Sequence, residues 1–229
     1  MAKEDNLAVI PIRSGSKGLK DKNIFPLKGK PLVLYTVEAL LQSNCILPEN
    51  IYVASDSQAY LKLVNNSYPE VKAYLRSEQD STDKSTTADF LKNFITSVGL
   101  GFKNLVLCQA TSPLRTGEQI HAAFDMFEEK KPTSVVSVTK AEKTPRMLTT
   151  LDGGLMSDIS GLDVGYRRQN EKLYYYPNGA IYITDIKSYM VESSFFKQDS
   201  MGFVMSAETS VDIDTLFDMR RAEALLDAQ

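Results

Sequence analysis

Short apolar runs alternate with stretches in which apolar side chains recur every three or four residues, and this alternation fills the first 140 positions. LAVIPI (7–12), NIYVAS (50–55), VKAYLR (71–76), NLVLCQA (104–110) and SVVSVTKA (134–141) are short and rich in branched apolar residues, which predicts strands. Between them, KPLVLYTVEALLQSN (30–44), AYLKLVNNS, STTADFLKNFITSVG (85–99) and TGEQIHAAFDMFEEK (116–130) carry a helical period. Two of these open on Ser or Thr, residues that cap helix N-termini. Such β–α alternation predicts an α/β fold with a doubly wound, mostly parallel sheet and helices on both faces.

The pattern lapses from about 141 to 178, a stretch rich in Gly, Thr and Asp with no helical period. It is too long for an ordinary connector and is expected to be a functional insertion or a dimer arm. Periodicity returns in the strand AIYITD (180–185), a short helix near 186–193, the strand MGFVMS (201–206) and the helix TLFDMRRAEALLDA (215–228). No internal repeat interrupts the chain, so residues 1–229 are expected to form one domain with an excursion.

Composition narrows the chemistry. Of 229 residues, 43% are hydrophobic and 24% charged, with a formal net charge of −3, which argues against a general nucleic-acid or anionic-membrane surface. No apolar run approaches the roughly 20 residues of a membrane span, and MAKEDNLAVIPI does not read as a signal peptide, so a cytoplasmic setting is expected. The 2 cysteines and 1 histidine exclude a disulfide framework and a multi-histidine metal site. His121 reads as a surface or packing residue, and the basic run around 27–30 as a solvated turn.

Any anion site must therefore be a local basic cluster, and the loop after the first strand is one. Arg13-Ser-Gly-Ser-Lys-Gly-Leu-Lys-Asp-Lys-Asn23 fits neither the GxxxxGK[S/T] phosphate loop nor the G-x-G-x-x-G dinucleotide fingerprint. Gly15 and Gly18 nevertheless allow backbone N–H groups close to an anion, with Arg13, Lys17 and Lys22 supplying charge. Gln109, at the end of a predicted buried strand, has an amide able to donate to and accept from a base edge. Thr111 and Ser112 read as turn formers before Pro113, and Arg115 reads equally well as a surface charge near the helix start. In SVDIDT (210–215), alternation puts Asp212 and Asp214 on one side of an extended segment. Such a pair suits a hard cation beside phosphates, or caps the coming helix.

R-x-G-S-K-G-x-x-x-K-N (13–23), QATSPLR (109–115), GYRRQ (165–169), YPNGAIYI (176–183) and SVDIDT follow one another in an order that resembles the acylneuraminate cytidylyltransferases, the CMP-sialic acid synthetases. The resemblance spans about 7 to 225 and implies a Rossmann-like nucleotide-binding half of the nucleotide-diphospho-sugar transferase type. It implies a reaction of CTP with a sialic acid that yields the CMP-sugar and pyrophosphate. Arg13, Ser16, Lys17, Lys22 and Asn23 would then bind the nucleotide, with Arg13 and Lys22 stabilising charge at the phosphates. Arg76, Ser85 and Thr87 stand where relatives contact the nucleotide, although the hydroxyls read equally as helix caps. The family context favours Mg²⁺, with Mn²⁺ as a substitute, on Asp212 and Asp214. Gln109, Arg168, Gln169, Asn178 and Tyr182 would meet the sugar acid, Arg168 taking its carboxylate. Tyr174, Tyr175, Tyr176, Phe195 and Phe196 read as core or interface aromatics, the two phenylalanines also within reach of a sugar pocket. Ile12 replaces the small residue usual in relatives, for which a packing adjustment is expected. A homodimer is implied. Three alternatives stay open: a legionaminic, pseudaminic or other nonulosonic acid as acceptor, another base or an alditol phosphate, and a catalytically silent nucleotide-sugar binding protein.

Overall fold

The computed structural model describes residues 2–15, 18–77, 80, 85–157 and 172–228. β1 (Asn6–Pro11) is apolar on both faces: Leu7 and Val9 enter one buried cluster, Ala8 and Ile10 the other. A hairpin of β2 (Pro26–Leu27) and β3 (Lys30–Pro31) follows the loop and leads into α1 (Leu32–Ser43). Then come β4 (Ile51–Ser55), α2 (Gln58–Ser67), β5 (Lys72–Leu75) and α3 (Thr87–Phe94). β6 (Asn104–Leu107), α4 (Gly117–Lys130) and β7 (Ser134–Lys140) complete the alternating part. The remainder is a small hairpin of β8 (Thr150–Asp152) and β9 (Leu155–Ser157), then β10 (Tyr175–Asp185), α5 (Ile186–Glu192), β11 (Met201–Met205) and α6 (Leu216–Asp227).

The main sheet has seven strands in the order β11-β7-β10-β6-β1-β4-β5. All its pairs are parallel except those of β10, which runs antiparallel to both β6 and β7. α1, α2 and α4 pack on one face; α3 and α5 pack on the other. A third, smaller cluster joins Leu27, Leu32 and Leu114 to Val211, Ile213, Met219 and Ala222. It seats α6 and the segment before it on the β2–β3 hairpin, at the edge where β1 and β6 end.

Most of the expected elements recur with ends shifted by up to three residues, α3 ends five residues before the expected Gly99, and two expectations need correction. Residues 141–178 are not wholly irregular, because β8 and β9 pair and β10 begins at Tyr175. The strand expected at 180–185 begins five residues earlier, because Pro177 and Gly179 interrupt the alternation and the ladder shifts register there. Around 27–30, Leu27 is fully buried and Lys28 and Gly29 adopt positive φ (50° and 81°), a tight hairpin turn in which Lys30 pairs with Glu38. Ile12, 1% exposed, packs into the core, as expected.

Candidate active site

β1 has β4 on one side and β6 on the other, so the sheet divides at β1 and a crevice opens beyond its C-terminal end. A cleft of about 580 Å³ lies there, lined by Arg13, Gly18, Lys22, Asn23, Arg76, Thr87, Gln109, Asp212 and Asp214 among others. A second cavity of about 350 Å³ adjoins it, lined by Tyr176, Asn178, Gly179, Tyr182, Ser210 and Arg221. Gln109 and Asp212 line both. A recess of about 130 Å³ is lined by Arg13, Arg76, Asp80, Ser85, Thr87 and Phe90.

The basic loop is held from several sides. The Ser14 N–H and Oγ–H donate to the two carboxylate oxygens of Asp56 at 2.8 and 2.6 Å. Burial pushes the Asp56 carboxyl up, but these bonds outweigh it and leave its pKa below the ordinary carboxylate value. Asn23 Nδ2 donates to the Arg13 carbonyl at 3.0 Å. Asp21 is left-handed (φ 54°) and receives the Tyr60 hydroxyl at 2.5 Å, fixing the residue just before Lys22. Gly18 faces the Asp214 carbonyl so closely that a Cβ would lie 2.9 Å from its oxygen. Lys22 Nζ reaches Asp214 Oδ1 at 2.5 Å.

The acidic segment is extended in the sense the alternation predicts. Val211 and Ile213 are buried, and the Ile213 N–H donates to the Thr111 carbonyl at 2.8 Å, so Asp212 and Asp214 face the cleft together. The Asp212 pKa is raised, chiefly by desolvation within the cleft walls; a Thr111 hydrogen bond opposes the shift and the Asp214 charge adds to it. Neither carboxylate caps α6. Thr215 and Asp218 form the capping box, and Asp218 also accepts from the Asp214 N–H at 3.2 Å. Both carboxylates are thereby free of capping duty, and hard oxygens of this kind suit a divalent cation. Among the described residues no group of three or more His, Cys, Asp or Glu forms a metal cage.

Arg76 stacks over the Phe90 ring at 4.2 Å and donates to the Asp80 carbonyl, and burial lowers its pKa. Ser85 and Thr87 share its recess, while the α3 cap itself is Thr86. Tyr182 opens on the second cavity, backed by the buried Phe195 ring at 5.2 Å and by the exposed Phe196 at 6.4 Å. Asn178 is 3% exposed and its amide is spent internally. It accepts from Ser137 Oγ and the Ala180 N–H and donates to Ser210 Oγ and Met205 Sδ. Asn178 lines the second cavity, and its four hydrogen-bonding positions are occupied within the protein. Ser16, Lys17, Arg167, Arg168 and Gln169 lie outside the described residues.

The sequence model of a family described as cytidylyltransferase matches residues 7–225. The chain belongs to the cytidylyltransferase family. The N-acylneuraminate cytidylyltransferase of Streptococcus agalactiae serotype V is 39% identical over 210 residues, 91% of this chain and 50% of that protein. The CMP-N,N'-diacetyllegionaminic acid synthase of Legionella pneumophila is 36% identical over 228 residues, 96% of each chain. The solved structure of CMP:2-keto-3-deoxy-manno-octonic acid synthetase complexed with CTP shares the fold, with a TM-score of 0.72 at 16% identity over 98% of this chain and 99% of that one. The chain thus spans about half the length of the streptococcal relative and nearly all of the Legionella one.

Several residues of this cytidylyltransferase cleft carry no mark in the sequence. Asp56 and Tyr60 act on a loop some 40 residues upstream, a distance across which no short motif reports. The T-x-x-D of Thr215 to Asp218 was legible as a capping signal, and would have freed the acidic pair from that role. Arg115, expected as readily at the surface, is 3% exposed.

Proposed function

We propose that the chain is a CTP-dependent nucleotidyltransferase that activates a sialic acid to its CMP-sugar with release of pyrophosphate. The observation that carries this reading is the pair of adjoining cavities with a shared wall at Gln109 and Asp212, one basic and the other ringed by hydroxyls and amides. Transfer between two substrates requires their reacting atoms side by side, and Gln109 and Asp212 line both cavities.

In this reading Arg13, Lys22 and Asn23 hold the triphosphate, and the base enters the recess beside Arg76. There the Arg76 guanidinium and Ser85 hydroxyl offer the donors that the cytosine carbonyl and ring nitrogen accept. Asp212 and Asp214 would hold Mg²⁺, which when bound would offset phosphate charge and favour departure of the leaving group. The C2 hydroxyl oxygen of the acceptor bonds to the α-phosphorus, the bond from that phosphorus to pyrophosphate breaks, and the hydroxyl proton passes to a base. Asp212, which faces both cavities, is the carboxylate assigned to that proton. Tyr182 and Gln109 line the acceptor side, and Arg168 is assigned the acceptor carboxylate by family resemblance.

Exposed apolar side chains cluster on the β8–β9 hairpin and the start of β10: Leu148, Leu151, Leu155, Met156, Leu173 and Tyr176 are 51–77% exposed. A second copy of the chain covering them is the homodimer this reading includes. A cytoplasmic setting follows from the use of CTP; among the described residues no helix is long and apolar enough to cross a membrane. The match to the Legionella synthase over 96% of both chains favours one second reading, with N,N'-diacetyllegionaminic acid as the acceptor.

The test is pyrophosphate release with Mg²⁺ and CTP against N-acetylneuraminic, legionaminic and pseudaminic acids, with ATP, GTP and UTP as controls. Release with CTP and N-acetylneuraminic acid is expected. Release with legionaminic acid alone selects the second reading. Binding of CTP without release from any acceptor refutes the transferase.

A further inference from the structure

Beneath the wall between the two cavities lies a buried cation. Arg115 is 3% exposed, and burial pulls its pKa below the ordinary guanidinium value. Among the described residues it has no carboxylate partner; its hydrogen bonds go to three neutral oxygens. Nε donates to the Ala180 carbonyl at 2.8 Å, one terminal nitrogen to Thr36 Oγ1 at 2.7 Å, and the other to the Gln109 carbonyl. Thr36 Oγ1 in turn lies 3.4 Å from that same carbonyl.

These oxygens sit on three elements that meet at the wall. Gln109 lies two residues beyond the end of β6, Thr36 lies on α1, and Ala180 follows the break in the β10 ladder. That break includes Gly179, which is left-handed (φ 76°) and presses on the Gln109 side chain: a Cβ there would lie 2.4 Å from Oε1. The backbone of Gln109 is thus held from below by one planar fork while its amide is held from the side by the same strand the fork grips.

We propose that Arg115 is a positioning residue for transfer, acting through Gln109 to set where the nucleotide cleft ends and the acceptor pocket begins. A guanidinium is the side chain that satisfies three divergent oxygens from one rigid plane, and lysine cannot reproduce that fork. A buried charge without a direct ion pair, offset only in part by the Asp212 carboxylate, is a costly way to fill space; its geometry is the reason for it to be there. The inference rests on the transferase reading above and adds the residue that aligns its two substrates.

A double-mutant cycle tests it, with Arg115→Lys, Gln109→Ala and the pair. Arg115→Lys is expected to lower kcat by about 10- to 100-fold, the loss that follows misplacement of about 1 Å. CTP affinity by calorimetry should stay within about twofold, since Arg13 and Lys22 are untouched. In the Gln109→Ala background the lysine substitution should cost little more, because the carbonyl that Arg115 holds remains but the amide it positions is gone. Thr36→Val keeps the guanidinium and the core volume but removes the hydroxyl, and should show the same pattern more weakly; it decides the matter if the lysine variant does not fold. Multiplicative losses in the cycle, or CTP affinity falling in step with kcat, overturn the positioning role. A wild-type protein that binds CTP but releases no pyrophosphate overturns the transferase reading, and the inference with it.

Discussion

Asp56 holds the backbone of the basic loop through a residue 42 positions upstream, and the direction of its pKa shift fixes how that hold depends on pH. Its carboxyl is more acidic folded than unfolded, so its contribution is complete above the unfolded value near 3.9 and is lost as pH falls through the lower folded value. Asp56→Asn is expected to cost about 1 kcal/mol at pH 7, as for a hydrogen bond to a charged group on a partly exposed side chain. In denaturant titrations the gap between wild type and variant should stay constant from pH 7 to pH 5 and shrink below about pH 4. Gly18→Ala tests the opposite wall. The added methyl meets the Asp214 carbonyl at 2.9 Å, so loop and acidic segment must part and the Lys22–Asp214 pair loosens. A turnover loss above about tenfold with an almost unchanged melting temperature is expected; full activity would show that this contact is dispensable. The pairing of Asp212 with Asp214 was legible because Val211 and Ile213 are apolar and alternate with them. The partners of Ser14 and Arg115 were not, because their contacts come from elements remote in the chain.

At the scale of elements, α6 matters less for its length than for how it begins. Thr215 and Asp218 cap each other, and Asp218 also takes the N–H of Asp214, so the cap tethers the acidic pair to the first turn of the helix. Thr215→Ala should cost about 1 kcal/mol of stability in chemical denaturation. It should also lower turnover, which a cap with no tie to the site would leave unchanged. The inner parallel strands β1, β4 and β6 were readable because both their faces are largely buried, giving apolar runs with little polar interruption. β10 was half-read for the converse reason. Its first three residues, Tyr175, Tyr176 and Pro177, are exposed, and the two buried positions that follow are Asn178 and Gly179 rather than apolar residues. Sequence pattern reports burial, and a strand that leaves the core stops resembling one.

For the molecule as a whole, the class of fold was legible in the alternation alone, and the assignment to a reaction came from short motifs whose spacing brings them to one edge of the sheet. The arm was anticipated only as a gap in that alternation, since exposed leucines on a hairpin have no period that a single chain explains. Light scattering at micromolar concentration is expected to give twice the chain mass, and Leu151→Asp with Leu155→Asp should yield monomers; a wild-type monomer would contradict the assembly. β10 then has a consequence for how the protein behaves in dilute solution. Its first turn of strand, at Tyr176, belongs both to the exposed arm and to the wall of the second cavity, and its continuation is locked into the core. In the proposed homodimer a partner seated on the arm would restrain the pocket wall at Tyr176, so association and acceptor binding are expected to strengthen each other by the same factor. Activity per chain should therefore fall on dilution, and saturating acceptor should move that fall to lower protein concentration.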